Sequence, residues 1–157
     1  MLSETLSTLG NHKKAEDLLC VLLATLRAAH IIHWTGHWQI DGSAQYGDHL
    51  LLERIYTGLE DEIDALAEKI VSTFGPQAVD PVHQISMMEE TSKVLTEPCA
   101  DVLVRSLEVE EKLQKLFKAT FDELECMGYL TLGMNDHIMN MANNHDTYIY
   151  LLRQRLR

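Results

Sequence analysis

Cysteine is scarce and poorly placed. Cys20, Cys99 and Cys126 are odd in number, far apart and in no Cys-x-x-Cys arrangement, which excludes a disulfide framework or a zinc knuckle as the organising device. Basic residues are also few, 13 Lys and Arg against 24 Asp and Glu, and the formal net charge of -11 repels phosphate backbones and draws cations to the surface. The three prolines all fall between Pro76 and Pro98, so the stretches on either side carry no strong helix breaker. The opening MLSETLSTLGNHKK lacks the charged-then-apolar layout of a signal peptide, and the apolar run from Leu18 to Leu26 is too short to cross a bilayer. The expectation is a soluble, unprocessed, cytoplasmic protein in a reducing compartment, with no membrane partner. What is present, 157 residues with 46% hydrophobic and 24% charged content and no repeat, suits one globular domain over residues 1–157.

Apolar residues recur at helical spacing in four long segments. Leu18, Leu19, Leu22, Leu26 and Ala29 predict a helix from about Lys14 to His37. Asp41-Gly42-Ser43 supplies turn and capping chemistry, after which Leu51, Ile55, Leu59, Ile63, Leu66 and Ile70 predict a second helix that Gly75-Pro76 ends. Between Pro76 and Pro98 a crossover holds a short amphipathic helix at about Gln84 to Thr91. Leu103, Leu107, Leu113, Phe117, Phe121 and Leu124 predict a third long helix ended by Gly128. A fourth runs from about Asn135 with Ile138, Met141, His145, Tyr148, Ile149 and Leu152 on one face. Two helical hairpins joined by a long crossover are the ferritin-like form of the four-helix bundle, all-α with a short helix in the crossover.

The second helix carries the chemistry. At about 100° per residue, His49, Glu53, Glu60, Asp64 and Glu68 fall within a sector of roughly 100°. Such a face is most often solvated surface. Yet His49 and Glu68 are about 28 Å apart along the helix, too far to share an ion in one chain, while the pairs His49/Glu68 and Glu53/Asp64 have one midpoint, between Gly58 and Leu59. Two antiparallel copies crossing there would bring His49 to the partner copy's Glu68 and Glu53 to its Asp64, as a twofold axis requires. The preceding hairpin adds His37 beside His49. Two imidazoles and three carboxylates suit Fe(II), Mn(II) or Zn(II), with carboxylates able to bridge two ions. The same hairpin register places His33 near Glu53, either behind the ligands holding that carboxylate or simply packed between helices.

His37-Trp38, Gly42, His49, Glu53, Asp64 and Ala67-Glu68-Lys69-Ile70 resemble the signature of the Dps proteins, mini-ferritins of bacteria and archaea. The resemblance covers the helical architecture end to end, its specific motif lying between His37 and Ile70. The family pattern has Asp where Glu53 stands, so the carboxylate is one methylene longer here, which bears on the second metal position. The resemblance implies a hollow homo-dodecamer that oxidises Fe(II) with hydrogen peroxide or O2 at di-iron sites between twofold-related subunits and stores Fe(III) mineral inside, protecting against oxidative damage. Under it His37 and Glu68 hold the first iron, Glu53 and Asp64 complete or bridge to the second, and His49 tunes the second, with Mn or Zn as competitors. Trp38 and Tyr46 are either interceptors of stray oxidising equivalents or simple packing.

The family's lysine-rich tail is missing, since the N-terminus offers Lys13 and Lys14, and Arg153, Arg155 and Arg157 in LLRQRLR can be read as the last turns of a helix complementing its dipole. Twelve copies would carry roughly -130, so direct DNA binding is expected to be weak or absent, with nucleoid association left open. Asp136 is the acid available for an entry pore at the start of the last helix, but a capping role suits it better. His145 reads as a satisfied core histidine; His12, His30, His83 and His137 have no partner pattern. The competing readings are an in-subunit di-metal enzyme, disfavoured because the chain has no Glu-x-x-His and its last helix no Glu, and a non-enzymatic shell or nucleoid-associated assembly with weak DNA contact.

Overall fold

The computed structural model describes residues 2–96 and 101–157, without the side chains of residues 2–9. Its described residues form α1 (Leu2–Gln39), α2 (Gln45–Phe74), a 3-10 turn (Pro76–Val79), α3 (Pro81–Leu95), α4 (Val102–Met127) and α5 (Leu132–Arg155). Neighbours in the bundle run α1, α2, α5, α4 and back to α1, with α3 laid against α1. This is the predicted all-α, ferritin-like bundle with a helix in its crossover.

Helix α1 touches α2, α3 and α4, so Leu19, Leu22, Leu23 and Leu26 are all fully buried although they point several ways round the helix. Each contributes about 1.5–3 kcal/mol by leaving water. The same crowding explains why Gly10–Gln39 is, by length and composition, apolar enough to cross a membrane, against the shorter run read from the sequence: 56% of its most apolar stretch is buried against the rest of the protein. In α2 the buried ladder is Leu52, Ile55, Leu59, Leu66 and Ile70, and in α4 it is Leu103, Val109, Leu113, Phe117 and Leu124.

Several boundaries differ from expectation. The α2 helix starts without a side-chain cap, at Ala44 rather than in Asp41-Gly42-Ser43; its first turn is fixed instead by buried Asp48, whose two oxygens accept from Arg155 Nε at 2.6 Å and the guanidinium Nη2 at 2.9 Å. The crossover helix is longer than Gln84–Thr91 because Asp80 caps it, accepting from the His83 N–H at 2.8 Å, and Pro81 suits its first turn. Thr131, not Asp136, caps α5 by accepting from the Met134 N–H; Asp136 instead accepts from Asn140. Gly128 closes α4 with φ of 77°, in the left-handed region that Gly adopts freely. Gly58 leaves space for a side chain of α5: a Cβ there would collide with the Tyr148 hydroxyl. Pro98 and Cys99 lie outside the described residues; Cys20 and Cys126 are free thiols.

Candidate metal centre

His37 ends α1 and His49 stands in the second turn of α2, and the five-residue connection folds one onto the other with ring centroids 4.3 Å apart. Each ring is held by its inner nitrogen. His37 Nδ1 lies 2.6 Å from the Trp34 carbonyl and His49 Nδ1 lies 3.1 Å from the His37 carbonyl. A carbonyl only accepts, so both Nδ1 atoms carry a proton, and the neutral form of each ring has its lone pair on Nε2. That is how metal-binding imidazoles are commonly oriented. His37 is almost buried at 8% exposure, and Glu53 follows His49 by one turn on the exposed side of α2. These three donors are the ones the sequence assigns to one subunit.

Asp64 and Glu68 are also exposed, but they lie about 16 and 22 Å further along α2 than Glu53. The fold therefore does not bring them to His37 and His49 within the chain, and among the described residues no three His, Cys, Asp or Glu side chains surround a common point. The chemistry of the donor set fits an ion all the same: two imidazoles with free Nε2 and a carboxylate on one side, two carboxylates waiting on the same face of the same helix. Beside Asp64 runs an open groove lined by Arg27, His30, Glu60, Ile63 and Ala67.

Aromatic rings wall in the paired histidines. Trp38 stands 5.4 Å from His37, as its place in the sequence implies, and Trp34 packs at 5.1 Å against Trp38, the rings tilted by 50°. The tyrosine that touches His37 is Tyr56, edge-on at 5.1 Å, whereas Tyr46 is 78% exposed. Partial burial, then the Glu53 and Glu60 carboxylates, push the Tyr56 phenol up, so it keeps its proton. The signal for Tyr56 was its spacing: seven residues after His49 is two turns along the same face.

His33 departs from expectation. It does not reach Glu53 but turns into the bundle, where it is fully buried, its Nε2 donating to Glu110 Oε1 at 2.8 Å and its Nδ1 lying 3.3 Å from Ser106 Oγ. The hairpin register fixes which residues lie level across the turn; it does not fix which side of α1 a residue occupies, and His33 is on the side that faces α4. Glu110 also accepts from His145 Nδ1 at 2.5 Å, and His145 Nε2 donates to Glu62 Oε2 at 2.9 Å. All four residues, one from each long helix, are at most 5% exposed. Burial alone would raise the Glu110 carboxyl, but the His145 and His33 imidazoles override it and hold it at about 2. Burial likewise works to lower His145, and Glu110 followed by Glu62 lifts it to about 9. His145 is thus the satisfied core histidine expected, and it is charged.

No family model matches the sequence, and no curated protein matches it. Solved structures do. A Dps from Thermosynechococcus elongatus superposes with a TM-score of 0.81 over 96% of this chain and 94% of its own, at 17% identity. The fold is that of the Dps proteins. A Dps protein from Vibrio cholerae, described as a member of a broad superfamily of ferritin-like diiron-carboxylate proteins, gives 0.78 at 20% identity, covering 94% of this chain and 92% of its own. DpsC from Streptomyces coelicolor gives 0.77 at 23% identity, covering 94% and 86%.

Proposed function

We propose that the protein takes up Fe(II), oxidises it with hydrogen peroxide or O2 at sites shared by twofold-related subunits, and keeps the Fe(III) mineral inside a hollow dodecamer. The observation that carries this reading is the pair of histidines anchored through Nδ1 with Nε2 left for an ion, beside α2, whose carboxylates fall into register when a second copy crosses it between Gly58 and Leu59. His37 with the partner copy's Glu68 holds the first iron. Glu53 with the partner copy's Asp64 completes or bridges to the second, which His49 tunes.

The chemistry balances when two ions act together. Hydrogen peroxide accepts one electron from each of two Fe(II) and two protons, giving two Fe(III) and two waters. A single ion could deliver only one electron, releasing hydroxyl radical. Trp38 and Tyr56 border His37 and are placed to intercept an oxidising equivalent that escapes. Support for a covering subunit comes from large apolar side chains left exposed on the same side: Ile31, Trp34 and Trp38 recur at helical spacing along α1, and Leu50 lies on α2.

Direct DNA binding is weak or absent in this reading. Two of the C-terminal arginines are committed within the subunit, Arg155 to Asp48 and Arg153 to Glu111 at 2.7 Å, and the assembly's negative charge opposes the phosphate backbone.

Fe(II) added anaerobically, then peroxide or air, with absorbance and particle size followed together, tests the proposal. Oxidation well above the rate in buffer, on a particle of about twelve subunits, is expected. Oxidation no faster than in buffer refutes the ferroxidase, and tight iron binding by a monomer refutes the shared site.

A further inference from the structure

One subunit's share of the candidate metal centre hangs on a weak turn. Gln45, Tyr46, Gly47 and Asp48 open α2 without a side-chain cap, and Gln45, Tyr46 and Gly47 are exposed. The N–H groups of a first turn have no partners within their own helix, and a glycine there favours the uncoiled chain. Within α2 the first apolar side chains packed on the core are Leu51 and Leu52. Yet His49 follows this turn directly, and Glu53 comes one helical turn later.

Asp48 is what fastens the turn. It is 4% exposed, and its two oxygens accept from Arg155 Nε at 2.6 Å and Nη2 at 2.9 Å, 107 residues away in the last turn of α5. Paired N–H bonds from one guanidinium fix a carboxylate in direction as well as distance. The neighbouring His49 has one further side-chain tether, its Nδ1 donating to the His37 carbonyl at 3.1 Å.

We propose that the Asp48–Arg155 pair is a latch through which α5 positions His49, and with it the second ion of the shared site; the inference rests on the iron reading above. Arg155 is a positioning residue, acting through Asp48 and the turn it holds. Without the guanidinium, Asp48 keeps a buried charge with no partner, which is relieved by reaching water. The exposed first turn offers the route: unwinding it carries Asp48 outward and draws His49 off the His37 carbonyl. His37 keeps its own hold, since its Nδ1 donates to the Trp34 carbonyl within α1. The first iron then still binds, and the second binds more weakly.

An ion acting alone passes one electron to hydrogen peroxide. The O–O bond breaks, one oxygen leaves as hydroxide and takes a proton to become water, the other leaves as hydroxyl radical, and one Fe(III) remains. The latch keeps the oxidation in its two-electron form.

Arg155→Gln, Asp48→Asn and the double variant, each in the full chain, test this. Without iron, protection of the amides of residues 48–51 against hydrogen exchange should fall about tenfold in each variant, while α4 and the middle of α5 keep the rates of the unmutated chain. Anaerobic Fe(II) titration should show the first ion unchanged and the second bound about tenfold more weakly. Spin trapping after peroxide should show more hydroxyl radical, and Arg155→Lys should restore part of the affinity. Because both side chains act through one contact, the double variant should be no worse than the worse single one. Second-ion affinity and radical yield unchanged in Arg155→Gln, protection lost throughout the chain, or single effects that add would each overturn the latch. Oxidation by the unmutated chain decides the ferroxidase reading by itself, and the exchange measurement needs no iron, so failure of one is distinguishable from failure of the other.

Discussion

His33 and His37 are one helical turn apart on α1, yet they live in different chemistries. His37, with His49, is anchored to backbone carbonyls and keeps a lone pair for a cation. His33, with His145, is anchored to carboxylates and donates its N–H to them. The residue type is the same; the acceptor at the anchoring nitrogen decides whether the ring is a base awaiting an ion or part of a closed ion network. Position follows the same division: the first pair sits at the end of a hairpin beside exposed carboxylates, the second at the centre of four helices.

The sharpest way to separate the two regions is to remove one imidazole pair. His37→Ala with His49→Ala is expected to reduce Fe(II) oxidation to the buffer rate while size-exclusion still reports the assembled particle; retention of fast oxidation would place the reaction elsewhere. Next in size is Glu110→Ala, which leaves the His145 charge buried without its carboxylate and should cost about 3–5 kcal/mol in a denaturant titration. Its counterpart Glu53→Ala, on exposed α2 surface, should change stability by no more than about 0.5 kcal/mol.

The inner pair also titrates. His145 is raised to about 9, so its contribution to stability is complete below its ordinary value near 6.5 and fades as the pH rises through 9. Glu110 is lowered to about 2, so its contribution is complete above about 4.5 and fades as the pH falls through 2. Together they place the greatest contribution between about pH 4.5 and 6.5. Denaturation midpoints measured from pH 4 to 10 should decline above neutrality, and the decline should vanish in His145→Phe. Smaller still, Glu53→Asp should shift Fe(II) affinity by about tenfold or less, read by anaerobic titration, with no change in stability. Smallest of all is the expected null: no retention of duplex DNA in a gel shift at physiological salt.

Most of the candidate outer half-site is legible in the chain. The twelve residues from His37 to His49 span a turn, the four from His49 to Glu53 span one helical step, and the shared midpoint with Asp64 and Glu68 needs only helix geometry. Tyr56 was hidden behind the more obvious Tyr46, which the fold leaves in solvent. The inner network was missed for a different reason. Glu62 lies in the acidic run LEDEID and Glu110 in LEVEEK, where composition says surface; only helical phase distinguishes them, since Glu62 takes the ladder position between Leu59 and Leu66, and Glu110 that between Ser106 and Leu113. The missing Glu-x-x-His argued only against an in-subunit di-metal centre, and one buried ionisable group per helix needs no such motif.

The sequence alone determined the four long helices, their stops and the spacing of the candidate ligands, because these follow from the local periods of a helix and from turn residues. Tertiary structure decided which acids are buried, which nitrogen of each histidine carries a proton, and that His33 faces Glu110 rather than Glu53. Those depend on how helices far apart in the chain are rotated against one another, and no local period records that rotation.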